Sequence, residues 1–350
     1  DNANVADTVS DQTQVGDADL DGGLDAESDS VLDVVTDPLP WRSKLYPTDW
    51  VPGFVDGEGR MLHDFSYAGY RNSELPLPDP GELAPTVTVV GADNTGEIDS
   101  TSAIQAVLDE AAVAGGVVLL PAGLYRVDGL LTVSASDVVL RGEGADQTKI
   151  FFTRDEEMTG KGHLTFSGSV KTALETLLVG EASPLELVVE VEDATEFGVG
   201  DDVSLGWIIT DEFIAEHGMT GTWVAFNGTW QPFYRRNVTA VDTSVTPHLV
   251  TLDVPLRYPA KLRDGASLRK ETGYLTEVGV ADLSFATAVG WDEAWANERT
   301  HALAFLSVKD SWVQGVGTFP SPLAPIEGPG AGAHLQNGGI KIHASKRVTV

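Results

Sequence analysis

The stretch from Val89 to Val127, VVGADNTGEIDSTSAIQAVLDEAAVAGGVVLLPAGLYRV, constrains this chain more than any other. Gly91, Asp93, Asn94 and Gly96 supply turn chemistry. Ser102 followed by Gln105 fits a capping box, and Ile104, Val107, Leu108 and Ala111 recur at helical spacing. Gly115 and Gly116 then stop the helix. Val117 to Leu120 is an unbroken apolar run, the pattern of a strand buried on both faces. Pro121 and Gly123 turn the chain into a second strand through Tyr125 and Val127. One amphipathic helix is thus followed at once by short strands with no second helix between them. That order rules out βαβ units and suits stacked coils.

The same residues resemble the opening of the pectate-lyase-3 type of right-handed parallel β-helix protein. The matching positions are Gly91-Ala92, Gly96, Asp99, Thr101, Ala103-Ile104-Gln105, Gly115-Gly116, Val118, Pro121, Gly123 and Tyr125. The resemblance implies an all-β fold: a right-handed parallel β-helix with one N-terminal capping helix. It says little about chemistry, because lyases, hydrolases, epimerases and phage tailspikes share this scaffold.

Charge limits the partners. The 350 residues carry 53 acids against 22 bases, a net charge of −31, which excludes nucleic acid, whose phosphates need a basic surface. A polyanionic glycan would require locally clustered bases or a bridging cation. There is no cysteine, so disulfides and thiolate metal sites are excluded. No apolar run approaches the ~20 residues of a transmembrane helix. The sequence does not open on Met, and a processed or excised form is expected.

Five regions are expected. Residues 1–40 hold eleven acids and no Lys or Arg, the composition of a disordered acidic linker. Within it Asp17–Gly22 copies the first half of an EF-hand loop, but Ser28 stands where a bidentate Glu belongs. Calcium is therefore the one cofactor left open, and no metal site is assigned. Residues 41–84 form an aromatic, proline-rich arm, in which Trp50, Tyr67 and Tyr70 either pack on the solenoid or stack on sugar. Residues 85–169 start the β-helix. Residues 170–270 change to hairpin texture and are expected to be an inserted small antiparallel β-domain, with a long loop from Asp211 to Asn237. Residues 271–350 return to coils. Aligning Asp282 with Asp310 gives a repeat of 28 residues, and the shape recurs roughly 36 residues later at Ile340–Val350. The chain stops in mid-strand, so further coils are expected beyond Val350.

Site candidates follow from this frame. In the last coil Ile340, Ile342 and Ala344 should point inward, and Lys341 and His343 outward. The loop before supplies Trp291, Asp292, Glu293, Trp295, Glu298, Arg299 and His301, and the next one His334 and Asn337. A polysaccharide lyase needs a base near the sugar C5 proton and positive charge at the uronate carboxylate. Lys341, His343, Arg299, His301 and Glu298 are the catalytic candidates. A hydrolase would need two carboxylates about 5–9.5 Å apart, drawn from Asp292, Glu293 and Glu298. Trp291, Trp295, Trp223, Trp230, Arg235 and Arg236 are the substrate-binding candidates, the last four either over a glycan groove or plugging their own barrel. The expectation is a secreted or cell-surface bacterial monomer acting on a polysaccharide as a lyase. A hydrolase and a non-catalytic, tailspike-like glycan binder are the alternatives.

Overall fold

The computed structural model describes residues 41–293 and 300–350. The expectations for residues 1–40, and for Trp295, Glu298 and Arg299, lie outside the described residues. The described residues fall into two units: residues 41–50 belong to the first, and Val51–Val350 is the second. In the first, residues 41–50 are turns in which the Tyr46 and Trp50 rings lie 5.3 Å apart.

The second unit contains a parallel β-helix of three sheets. Its first rung is β1 (Val87–Thr88) and β2 (Thr95–Asp99), followed by the helix α1 (Thr101–Ala114). The second rung is β3 (Gly116–Leu119), β4 (Gly123–Val127) and β5 (Leu131–Val133), and the third is β6 (Val138–Arg141), β7 (Thr148–Phe152) and β8 (Gly162–Ser167). Each strand pairs in parallel with its counterpart one rung on: Val118 with Leu140, Tyr125 with Ile150, Val133 with Phe166. These residues point inward and are fully buried or nearly so. Helix α1 lays Ile104, Val107, Leu108 and Ala111 against the same core.

The helix start differs from the capping-box reading. Ser100 occupies the N-cap position, and Asp99 accepts from the Thr101 backbone N–H at 2.9 Å. Gln105 reaches sideways instead of back. It donates to the Thr132 carbonyl and accepts from the Thr132 N–H, both at 2.8 Å, which ties the helix to β5.

After β8 the chain leaves the solenoid for an antiparallel domain. Its elements are β9 (Lys171–Leu177), β10 (Val188–Val191), β11 (Asp202–Ile208), α2 (Asp211–Glu216), β12 (Trp230–Asp242), β13 (His248–Leu252) and β14 (Ser267–Thr272). The strand order is β10-β13-β12-β11-β14-β9. A bridge between Leu178 and Val191 joins the two ends, so the sheet closes into a barrel without a free edge. Val203, Leu205, Trp207, Tyr234, Val250 and Leu268 fill it. The segment expected as a loop from Asp211 to Asn237 is therefore a short helix, a series of turns and the first half of β12. Pro232 and a bulge at Phe233, where the β11–β12 register slips, hide that strand from a period-two reading.

The barrel returns the chain beside its point of departure, where Ser169 N–H donates to the Gly273 carbonyl at 2.8 Å. Rung four, β15 (Leu275–Thr276), β16 (Gly279–Ala281), β17 (Ser284–Thr287) and β18 (His301–Leu306), stacks directly on rung three, with Gly279 opposite Val139 and Leu303 opposite Leu164. Rung five is β19 (Val308–Gln314), β20 (Gly317–Thr318) and β21 (Gly338–His343), and β22 (Lys346–Thr349) begins a sixth. The all-β parallel solenoid with a capping helix and an inserted antiparallel domain is the fold expected from the sequence.

The register corrects the repeat. Thr276 pairs with Lys309, so Glu277, not Asp282, stands opposite Asp310. Asp137, Glu277, Asp310 and Arg347 occupy equivalent places on successive rungs, and all four have positive φ, between 50° and 63°. Asp282 also has positive φ, 54°, but it turns the corner between β16 and β17. Ile342, expected inward, lies opposite Phe305 on the last complete rung and is 46% exposed.

Candidate functional site

Two groups of the expected residues are brought into defined surroundings. The first lies on the sheet β5-β8-β18-β21. His301 pairs in register with Gly162 and Gly338, and its ring lies over Gly338, where any side chain would collide with it. Its Nδ1 is buried without a partner. Burial, reinforced by the charge of Lys341, lowers its pKa, so the imidazole is neutral at neutral pH. Lys341 donates to the Gly160 carbonyl at 2.7 Å. His343 is exposed two residues further along β21. Trp291 is 52% exposed. His334 shares a 2.7 Å hydrogen bond with Thr318 and is engaged there.

The second group lines a cleft of about 340 Å³ between three parts of the chain that are far apart in sequence. Residues 65–72 form one wall, β12 with residues 253–257 the second, and residues 345–347 at the corner between β21 and β22 the third. Five bases line it: Arg235, Arg236, Arg257, Lys346 and Arg347, against one lining carboxylate, Asp253. In a chain of net charge −31 this is a strong local reversal.

The five are not equivalent. Lys346 is 9% exposed and gives hydrogen bonds to the Arg236 carbonyl (2.6 Å) and Asn237 Oδ1 (2.8 Å), with Asp202 at 2.9 Å. All three N–H donors are thus engaged. Burial lowers its pKa to about 8, with Asp202 opposing the shift, and its role is to lock the barrel to the solenoid. Asp202 also takes Lys309 at 2.6 Å. Burial would raise its pKa, but Lys346 and Lys309 together hold it below the ordinary value. Arg347 bonds Asp310 at 2.6 Å and Asn237 at 2.7 Å. Arg235 lies 3.5 Å from Glu271.

Among the described residues, Arg236 and Arg257 have no carboxylate within 4 Å. Arg236 donates only to main-chain carbonyls, those of Val254 at 3.0 Å, Arg235 at 3.0 Å and Pro255 at 3.3 Å, and lies over the Tyr234 ring. Burial lowers its pKa; Asp253 opposes the shift and the like charge of Arg257 adds to it. Arg257 sits 4.7 Å from the centroid of Phe65 and reaches the Asp64 carbonyl at 3.3 Å. Two neighbouring guanidinium groups that make no direct ion pair, flanked by Phe65 and Tyr67, have the chemistry to take an anion carried on an apolar ring face.

Of the remaining candidates, Trp230 is covered by Arg269, whose guanidinium stands 3.6 Å from the ring centroid, so it is not an open platform. Tyr70 is likewise buried, edge-on to Trp312, with its hydroxyl donated to Glu277 at 2.8 Å. Trp223 borders a separate aromatic cavity on the barrel. Arg257, Lys346, Arg347 and Asp253 escaped the sequence reading. The Arg235-Arg236 pair and Tyr67 stood out in the sequence, but nothing there joined them, because the walls of the cleft come from distant segments. No group of three or more His, Asp or Glu side chains that could hold a metal ion occurs among the described residues. No helix among them is long and apolar enough to cross a membrane.

Comparison with known proteins places these features in context. No curated protein matches the chain by sequence. Solved structures that resemble it include the Gp54 tailspike of Acinetobacter baumannii bacteriophage AP22, in complex with A. baumannii capsular saccharide (13% identity, TM-score 0.42, covering 64% of this chain and 32% of that one). The Pseudomonas phage phi297 tailspike gp61 is another (14% identity, TM-score 0.42, 67% and 42%). A third is the A-module of the Azotobacter vinelandii mannuronan C-5 epimerase AlgE6 (16% identity, TM-score 0.28, 66% and 36%). The aligned part spans well under half of each of these structures. Residues 86–172, which comprise the capping helix and the first three rungs, match the family described as rhamnogalacturonase A/epimerase, pectate lyase-like.

Proposed function

We propose that the protein is an exported or cell-surface, carbohydrate-active member of the pectate-lyase-3 group, and that it binds an acidic polysaccharide in the cleft between barrel and solenoid. The observation that supports this reading is the pair Arg236 and Arg257, two cations that donate to main-chain carbonyls and, among the described residues, make no ion pair, in a chain that is otherwise strongly acidic. A uronate carboxylate would bridge the guanidinium groups, and the sugar ring would lie against Phe65 and Tyr67.

From the cleft the chain leads back along β21 past His343 to Lys341. The chain turns at Ala344, and within β21 His343 and Lys341 stand two residues, about 7 Å, apart. A glycan extended that way meets a neutral imidazole, His301, beside an ammonium, Lys341. His301 would take the C5 proton, and Lys341 would neutralise the carboxylate whose acidity makes that proton removable. The outcome is β-elimination. The C5 proton passes to His301, the electron pair it leaves becomes the C4=C5 double bond, and the C4–O bond breaks with its pair on oxygen, which takes the proton back from His301 and departs as the hydroxyl of the other fragment, leaving an unsaturated uronate end.

The test is calorimetric titration with polygalacturonate, alginate and uncharged dextran. An acidic glycan should bind, dextran should not, and Arg257→Gln should weaken binding about tenfold. His301→Ala should retain binding and lose the ultraviolet absorbance of unsaturated ends. Equal affinity of wild type and Arg257→Gln for every acidic glycan would refute the cleft assignment. Binding without unsaturated products in the wild type would refute the lyase step alone.

A further inference from the structure

The barrel holds a second cavity, of about 660 Å³, whose chemistry is opposite to that of the cleft. Its walls are the rings of Phe213, His217, Trp223, Phe226, Phe233 and Tyr258, and no charged residue lines it. Phe233 lines both cavities. It is the bulged residue of β12, and it stacks on Trp207 at 3.8 Å with the planes 10° apart. Trp223 and Phe226 remain 39% and 64% exposed at the rim, so a ligand can reach the rings.

The polar groups inside define what fits. His217 Nδ1 lies 2.7 Å from the Phe213 carbonyl oxygen. A carbonyl only accepts, so Nδ1 carries the proton, and in that tautomer Nε2 is an acceptor. Nε2 lies 2.8 Å from the Tyr258 hydroxyl, which must therefore donate to it. The Tyr258 proton is committed to His217, while the lone pairs on its oxygen stay free. The chain from carbonyl to imidazole to phenol thus fixes Tyr258 as an acceptor facing an aromatic box.

From this we infer that the cavity binds an uncharged, planar aromatic group carrying one hydroxyl, a phenolic ring, with that hydroxyl donated to Tyr258. An anion would lose its hydration without gaining a cation. A pyranose would stack well, but most of its hydroxyls would be left unpaired in a cavity lined mainly by rings. A phenolic ring stacks on the walls and brings one donor to the one committed acceptor.

The test uses the full chain and three small probes at neutral pH: methyl para-hydroxybenzoate, methyl benzoate, and the para-hydroxybenzoate anion. Binding is read by saturation-transfer NMR and calorimetry. The phenolic ester should bind about tenfold more tightly than methyl benzoate, and the anion more weakly than either. Tyr258→Phe should abolish the preference for the phenol while leaving methyl benzoate affinity unchanged. Phe226→Ala, at the exposed rim, should weaken both esters without touching the core. Arg257→Gln should leave all three affinities unchanged, which separates this site from the glycan cleft. Equal binding of the two esters, tighter binding of the anion, preferential binding of maltohexaose, or no binding at millimolar concentration would each overturn the assignment.

Discussion

His163 offers a quantitative test of the solenoid core. Its ring is fully buried, stacked on Phe152 at 4.8 Å with the planes 12° apart, and neither ring nitrogen has a hydrogen-bond partner. Burial, with a smaller contribution from the charge of Arg154, lowers its pKa from 6.5 to about 4. In the folded protein the ring stays neutral while the same residue in the unfolded chain takes up a proton below pH 6.5. The unfolded state then binds more protons, so stability rises with pH across this window and is lost as pH falls. The contribution is fully present above pH 6.5 and is lost as pH drops toward 4. A depression of this size corresponds to about 3 kcal/mol across the window. His163→Leu removes the titration and the two unsatisfied nitrogens at similar volume. Urea unfolding between pH 7.5 and 4 should show the wild type losing about 3 kcal/mol more than the variant. At pH 7.5 the variant should be at least as stable, since a buried polar group without a partner has been replaced by an apolar one. His301, also depressed by burial, titrates in the same direction, but it is present in both proteins and cancels in the comparison. Parallel stability curves for the two proteins over this range would refute the reasoning.

Two further outcomes probe how the barrel and the rungs are held. Asp202→Ala should destabilise the protein by about 3 kcal/mol, measured by urea unfolding, because it leaves the buried Lys346 ammonium without its counter-charge. Gly142→Ala should cost at least 2 kcal/mol in the same assay, since an added Cβ would collide with the Asp282 carbonyl on the neighbouring rung. A substitution there without effect would mean that the rungs slide past one another freely.

How much of this was legible in the sequence varies along the chain, for physical reasons. From Val89 to Val127 every signal is local: turn residues, helical period and apolar strands all act over a few residues, and they give the scaffold and its direction. The repeat was harder. Asp282 and Asp310 share a left-handed conformation, so their neighbourhoods look alike, yet they turn different corners. Only the pairing of Thr276 with Lys309 distinguishes them. Arg235 and Arg236 stood out as a basic pair, but sequence could not show that one faces Glu271 while the other rests on carbonyls beside Arg257. That difference is set by contacts among residues 64–72, 235–257 and 345–347, which no local pattern encodes. The aromatic cavity was half legible: Trp223, Phe226 and Phe233 are conspicuous, whereas the His217–Tyr258 hydrogen bond depends on the barrel closing.

That closure has a consequence for the order of assembly. Rungs two and three are neighbours in sequence, and each can be laid down as the chain is made. Rung four cannot, because the whole barrel separates Val139 from its partner Gly279. Bringing rung four home through a floppy loop of that length would carry a large entropic cost and a slow search. The barrel removes most of both: once folded, it holds Ser169 and Gly273 in hydrogen-bond contact and presents the two chain ends side by side. Its folding should therefore gate the growth of the solenoid, with the first three rungs waiting as a docking platform. Pulsed hydrogen exchange should then show β16 to β18 gaining protection only after β9 to β14.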